Sequence, residues 1–176
     1  MSGLLAYVSQ SDQALAGRVH ALCPPRWLRL WMLWATRLGD GWLWYALAAA
    51  LAAGGSRYQR VLAAGLLAAG LASATFSMTK RRVRRPRPCD RAPHPAFLQV
   101  RPPDRYSFPS GHSINAFAIG TVLVLSLPPL WAPLSLVAIS IAASRVVMGL
   151  HYLSDVVVGA LLGVLIGTSS YLLLLG

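Results

Sequence analysis

The sequence predicts an all-α integral membrane protein, a bundle of five to six transmembrane helices with an N-terminal interfacial helix. Three observations predict it. Hydrophobic residues make up 56% of the 176-residue chain and charged residues only 12%, too apolar for a soluble domain of this length. The charges are also segregated, with none in 41–56, 61–79, 113–144 or 156–176. A helix satisfies its own N–H and C=O groups where water is absent, so apolar blocks with polar residues collected between them read as spans. A run rich in Trp and Arg, residues that favour the bilayer interface, precedes the first of these blocks.

Taken in order, residues 1–38 form the N-terminal interfacial segment. Its first part ends on Cys23-Pro24-Pro25-Arg26, a helix breaker, and the Trp-rich run from Arg26 to Trp34 follows. The apolar stretch Gly41 to Gly55 is short for a span of about 20 residues, so its helix is expected either to begin further back, near Arg37-Leu38-Gly39-Asp40, or to be tilted. Val61 to Met78 makes a second span. It is rich in Gly, Ala and Ser, which permit close helix approach in lipid, and it is expected to be buried in the bundle. Residues 84–109 hold seven of the twelve prolines together with a cluster of arginines, a composition excluded from hydrocarbon, and form a loop on one membrane face. Ser110 to Leu127, Leu130 to Met148 and Leu153 to Leu175 make three more spans, with turns at Pro128-Pro129 and Gly149. If the spans alternate, Lys80, Ser110, Arg145 and His151 all reach the same face. The whole chain, 1–176, then reads as one domain.

The formal charge of +11, from sixteen Lys and Arg against five Asp, calls for an anionic partner. Nucleic acid fits poorly, because about half of these cations fall between Lys80 and Arg105 in one loop between apolar helices instead of on a solvated face. Phosphate at a membrane surface fits better. The two cysteines, Cys23 and Cys89, have no metal-ligand spacing.

Three constellations carry chemistry. In the first, six residues separate Lys80 from Arg87-Pro88, pairing a compact charge with a planar fork that can hold two oxygens of a phosphoryl group. Taken alone, such a run also serves as a topogenic or lipid-binding patch. In the second, Pro109-Ser110-Gly111-His112 opens an apolar span. Ser110 can cap the helix, Gly111 lets an anion approach the backbone, and His112 in the first turn can act as a general acid. In the third, Ser144-Arg145 is followed by His151 and Asp155, whose i, i+4 spacing is expected to bring both to one helix face. A carboxylate beside imidazole fixes its tautomer and leaves the other nitrogen free for nucleophilic attack.

Together these residues resemble the type 2 phosphatidic acid phosphatase superfamily, whose signature runs Lys-x6-Arg-Pro, Pro-Ser-Gly-His, then Ser-Arg-x5-His-x3-Asp. Every signature position is matched, over about 80–155, and Thr36-Arg37-Leu38-Gly39-Asp40 extends the likeness towards the N-terminus. The resemblance implies a lipid phosphatase with a phosphohistidine intermediate. His151 would be the nucleophile, Asp155 its orienter and His112 the acid for the departing lipid oxygen. Lys80, Arg87, Ser110, Gly111 and Arg145 would bind the phosphoryl oxygens. No cofactor is expected and no metal, since the chain offers no carboxylate cluster suited to Mg²⁺ and the cations would supply its charge.

The implied partners are the bilayer and a lipid phosphate or diphosphate. Undecaprenyl diphosphate is the leading expectation, because the short loops leave little to grip a large headgroup; phosphatidylglycerophosphate, phosphatidate and lipid A 1-phosphate are alternatives. A lipid phosphotransferase or a non-catalytic anionic-lipid-binding protein would use the same residues differently. Orientation is in conflict. The positive-inside rule puts the basic face in the cytoplasm, whereas the resemblance favours a periplasmic or external site in a bacterial inner membrane, and the latter is the expectation here. The surplus loop arginines Arg81, Arg82, Arg84, Arg85 and Arg91 read first as solvated charge.

Overall fold

A computed structural model describes residues 3–21, 24–91 and 104–176. The expected 84–109 loop is therefore described at its two ends, and 92–103 lie outside the described residues, as does Cys23. The described chain is helical: α1 (Gly3–Ala21), α2 (Arg26–Leu38), α3 (Trp42–Ala53), α4 (Gln59–Val83), α5 (Pro88–Arg91), α6 (Gly111–Ser126), α7 (Trp131–Val147) and α8 (Leu153–Leu175). Three of these segments, Ser56–Val83, Pro128–Val147 and Leu153–Leu175, are long and apolar enough to cross a membrane, and α3 and α6 are shorter apolar helices.

The bundle is organised around α6, which packs on α8, α4 and α7. Small residues at every fourth position make this possible. Gly159, Gly163 and Gly167 of α8 lie against α6, where a Cβ on Gly163 would stand 2.6 Å from the Ile114 carbonyl oxygen. Such contacts bring backbones close, which is how helices gain dispersion energy in lipid. On α4 the matching stripe is Ala64, Ala68 and Ala72, all fully buried in a cluster with Ile114, Ala118 and Val122. The expectation that this second span is buried as a whole is corrected. Leu66 and Leu71 are exposed on its outer side, and Gly65 and Gly70 have open space beside them, because one alanine ridge suffices for contact with α6.

The first span also differs from expectation. It does not begin near Arg37, because Gly39 ends α2 and Gly41, at φ 118°, makes a turn that an L side chain rarely adopts. The resulting α3 has 12 residues, about 18 Å of rise, less than the hydrocarbon thickness. The N-terminal segment is two helices. α2 presents Trp27, Trp31 and Trp34 outward and buries Met32, Ala35 and Thr36, packing on α7. At the far end of α4, Arg84 closes the helix at φ 51° and Pro86 follows, while Lys80, Arg81 and Arg82 occupy the last turn, where the helix dipole favours cations. The turns at Pro128–Leu130 and Gly149 (φ 67°) fall where the sequence puts them.

Candidate active site

The end of α4, the start of α6, the end of α7 and the turn before α8 converge, so the eight residues singled out in the sequence share one region. Ser110 N–H donates to the Asp155 carbonyl at 3.0 Å, joining the starts of α6 and α8. The N–H groups of Leu150 and His151 both donate to the Arg145 carbonyl at 3.0 Å, which folds the turn carrying His151 back onto α7. Arg87 Nη1 donates to the Leu150 carbonyl at 2.7 Å and stands 3.2 Å from His151 Nε2.

His151 precedes α8 instead of lying on it, so the expected placement of His151 and Asp155 on one helix face is corrected. Asp155 sits in the first turn, where its Oδ2 accepts the Tyr152 N–H at 2.9 Å, and the tight turn brings His151 Nδ1 to 3.6 Å of the same oxygen. That separation is too long for a formed hydrogen bond, so in this state Asp155 acts on the ring through its charge. With Arg87 donating towards Nε2, the imidazole carries its proton on Nδ1, facing Asp155. His151 is 2% exposed. Burial, reinforced by the charges of Arg87 and Arg145 and opposed by Asp155, pushes it down to about 3, so the ring is neutral at physiological pH.

His112 opens α6 with Ser110 as its N-cap. Ser110 Oγ accepts from Ser113 N–H at 3.4 Å and from Ser113 Oγ–H at 3.0 Å, which leaves its own hydroxyl proton free to donate. His112 Nε2 meets Asp40 Oδ1 at 2.8 Å. Their hydrogen bond, opposed by burial and helped by the charges of His112 and Arg145, holds the Asp40 carboxyl below its ordinary range. The Thr36–Asp40 segment is thereby accounted for. Thr36 Oγ1 accepts from Arg145 Nη1, Asp40 partners His112, and Gly39 is small because a Cβ there would stand 2.6 Å from the His112 ring.

The cations are desolvated: Lys80, Arg87 and Arg145 are 8%, 1% and 2% exposed. The buried Nε of Arg145 has no hydrogen-bond partner among the described residues, an uncommitted donor of the kind an anion satisfies. Asp104, from the far end of the loop, joins two of the cations. Its Oδ2 accepts from Lys80 Nζ at 2.6 Å, its Oδ1 from Arg87 Nη2 at 3.0 Å, and its carbonyl from Arg87 Nε at 2.9 Å. Burial raises this carboxyl, and Lys80 and Arg87 more than offset the effect, leaving it below the usual range. Sequence reasoning missed Asp104, and gave Asp40 and Thr36 no role. A carboxylate among many arginines, one of two with Asp90 in 84–109, was the available signal.

The sequence from 60 to 175 matches the model of the PAP2 superfamily. The fold and these residues therefore define a membrane phosphatase class, and the chain belongs to the PAP2 superfamily. Among curated proteins it is 37% identical over 132 residues to the decaprenylphosphoryl-5-phosphoribose phosphatase of Mycobacterium tuberculosis, covering 72% of this chain and 68% of that one. A shorter match, 35% over 71 residues, covers 40% of this chain and 34% of the undecaprenyl-diphosphatase of Sulfolobus acidocaldarius. The fold resembles the crystal structure of the transmembrane PAP2 type phosphatidylglycerolphosphate phosphatase of Bacillus subtilis, with a TM-score of 0.78 and 28% identity over 95% of this chain and 86% of that one.

Proposed function

We propose that this phosphatase works through a phosphohistidine at His151 and that its substrate is a phosphate carried on a polyprenyl lipid. The observation that carries the mechanism is the neutral, buried imidazole whose Nε2 faces Arg87 while Nδ1 faces Asp155. When a phosphoryl group enters, Arg87 turns its donor to a phosphoryl oxygen and frees the Nε2 lone pair. Nε2 attacks phosphorus, the P–O bond to the lipid breaks, and the leaving oxygen takes its proton from His112. The ring acquires positive charge in this step and draws closer to Asp155. His112, now neutral, takes a proton from water as that water attacks phosphorus, the P–N bond breaks, and inorganic phosphate leaves.

Lys80, Arg87, Arg145, Ser110 and the Gly111 N–H hold the phosphoryl oxygens, supplying the positive field that metal ions give other phosphoryl-transfer enzymes, so turnover is expected to survive chelation. For the lipid, the name of a relative matched over 72% of this chain, decaprenylphosphoryl-5-phosphoribose phosphatase, supports a polyprenylphosphoryl phosphoribose ahead of undecaprenyl diphosphate. A site on the external face of a bacterial inner membrane completes the reading, and a fusion reporter in 92–103 that reports cytoplasm would contradict it. The experiment is phosphate release in detergent with EDTA from both polyprenyl lipids, phosphatidylglycerophosphate, phosphatidate and lipid A, with His151→Ala as control. EDTA-resistant release lost in the control is expected, fastest with a polyprenyl substrate. Release fastest from a glycerophospholipid would overturn the lipid assignment. Transfer to a second lipid without free phosphate would make the protein a phosphotransferase.

A further inference from the structure

Arg85, expected to be one solvated charge among several, is engaged on every side. Its Nη1 donates to Asp155 Oδ1 at 2.7 Å and to Ser154 Oγ at 2.8 Å, and its Nη2 donates to Asp12 Oδ2 at 2.8 Å. The guanidinium lies over the Tyr152 ring, 4.0 Å from its centroid. Asp12 comes from α1, some seventy residues earlier, and is 6% exposed. Its Oδ1 accepts the Ser154 N–H at 3.1 Å, so it satisfies a first-turn donor of α8 that the helix itself cannot satisfy, and its Oδ2 also accepts from Ser154 Oγ.

The consequence falls on Asp155, which is wholly buried. A buried carboxylate has two oxygens to place. Here Arg85 takes Oδ1 and the Tyr152 N–H takes part of Oδ2, so only Oδ2 is presented to His151. A single arginine bound to Asp155 alone would neutralise the charge that the imidazole needs. Asp12 shares the guanidinium, so the group Asp12, Arg85 and Asp155 keeps one net negative charge beside the ring. We propose that Arg85 and Asp12 are positioning residues for the His151–Asp155 pair, and that α1 is the strut holding the nucleophile's carboxylate in place. This rests on the proposed role of His151.

Arg85 is tied to the carboxylate through which it would act: its terminal nitrogens pair with Asp155 and Asp12, and its face is covered by Tyr152. The test is single-turnover phosphate release by the full chain in detergent, which follows slow variants. Arg85→Ala is expected to lower the chemical rate about ten- to a hundredfold with KM within about twofold, and Arg85→Lys to recover part of the loss. Combined with Asp155→Asn, Arg85→Ala is expected to add less than about twofold, because the residue through which it acts is already altered. Asp12→Asn should cost less than Arg85→Ala and likewise vanish against Asp155→Asn. Elution volume and melting temperature serve as folding controls, and if Arg85→Ala does not fold, Arg85→Lys and Asp12→Asn carry the same cycle. A raised KM at unchanged rate, or losses that multiply fully with Asp155→Asn, would overturn the proposal with the proposed function intact. No release by the wild-type chain from any lipid would overturn the proposed function, and with it the reaction these residues serve.

Discussion

His151 and Asp155 are 2% and 0% exposed, walled in by Arg87, Tyr152 and Arg85, whereas Asp40, the carboxylate on His112, has 52% of its side chain open. The same two residue types thus make two different pairs at one membrane face. Enclosure keeps His151 unprotonated, as the proposed nucleophile must be. On the other side the His112 ring, 17% exposed, is held by the half-open Asp40 carboxylate at 2.8 Å from Nε2, which fixes its orientation at the edge of the site. In the proposed reaction it is the difference in enclosure, more than residue identity, that separates the nucleophile from the acid.

The two pairs should differ most in what their carboxylates contribute. Asp155→Asn is expected to lower the rate about a thousandfold to ten-thousandfold, the scale seen when a buried orienting carboxylate is lost. Asp40→Asn, at a solvated pair, is expected to cost about tenfold. Equal losses would dissolve the distinction.

His112→Asn should cost about a hundredfold or more with a lipid substrate. With an activated aryl phosphate, whose leaving oxygen needs no proton, formation of the phosphoenzyme should recover while its hydrolysis stays slow. Rapid-quench kinetics would then show a burst; its absence would remove His112 from water activation.

A smaller effect appears with pH. The folded His151 titrates at about 3 while an unfolded histidine titrates near 6.5, so between these values the unfolded chain binds the extra proton. Stability contributed by neutral His151 is full above about 6.5 and declines as pH falls towards about 3. Melting temperature should fall over that window, and less so in His151→Asn. Smallest in activity is Gly163→Ala, whose new Cβ meets the Ile114 carbonyl at 2.6 Å. It should destabilise by about 1 to 3 kcal/mol, read as a lower melting temperature, with the rate of the folded protein unchanged within about twofold.

The spans and the site were legible to different degrees, for physical reasons. Long apolar runs declare themselves, and α4, α7 and α8 fall close to where the composition puts them. The break at Gly39 to Gly41 was hidden because apolar residues lie on both sides, and only the positive φ of Gly41 separates α2 from α3. Lys80, Arg87, Arg145, His112, His151 and Asp155 were readable from spacing around helix ends, although His151 and Asp155 meet through a turn instead of along a helix face. Asp12, Asp40 and Asp104 were not readable in their roles. Each reaches its basic partners across at least 17 residues of chain, and no local pattern encodes such a distance.

The most direct measurement is to quench turnover of a ³²P-labelled lipid substrate in base, in the presence of EDTA, and to locate the label by mass spectrometry of the digested protein. Phosphate is expected on the imidazole of His151 and not in His151→Asn, and with a ³²P-labelled activated aryl phosphate it should accumulate in His112→Asn. Turnover without a phosphorylated residue, or label on a side chain other than His151, would contradict it.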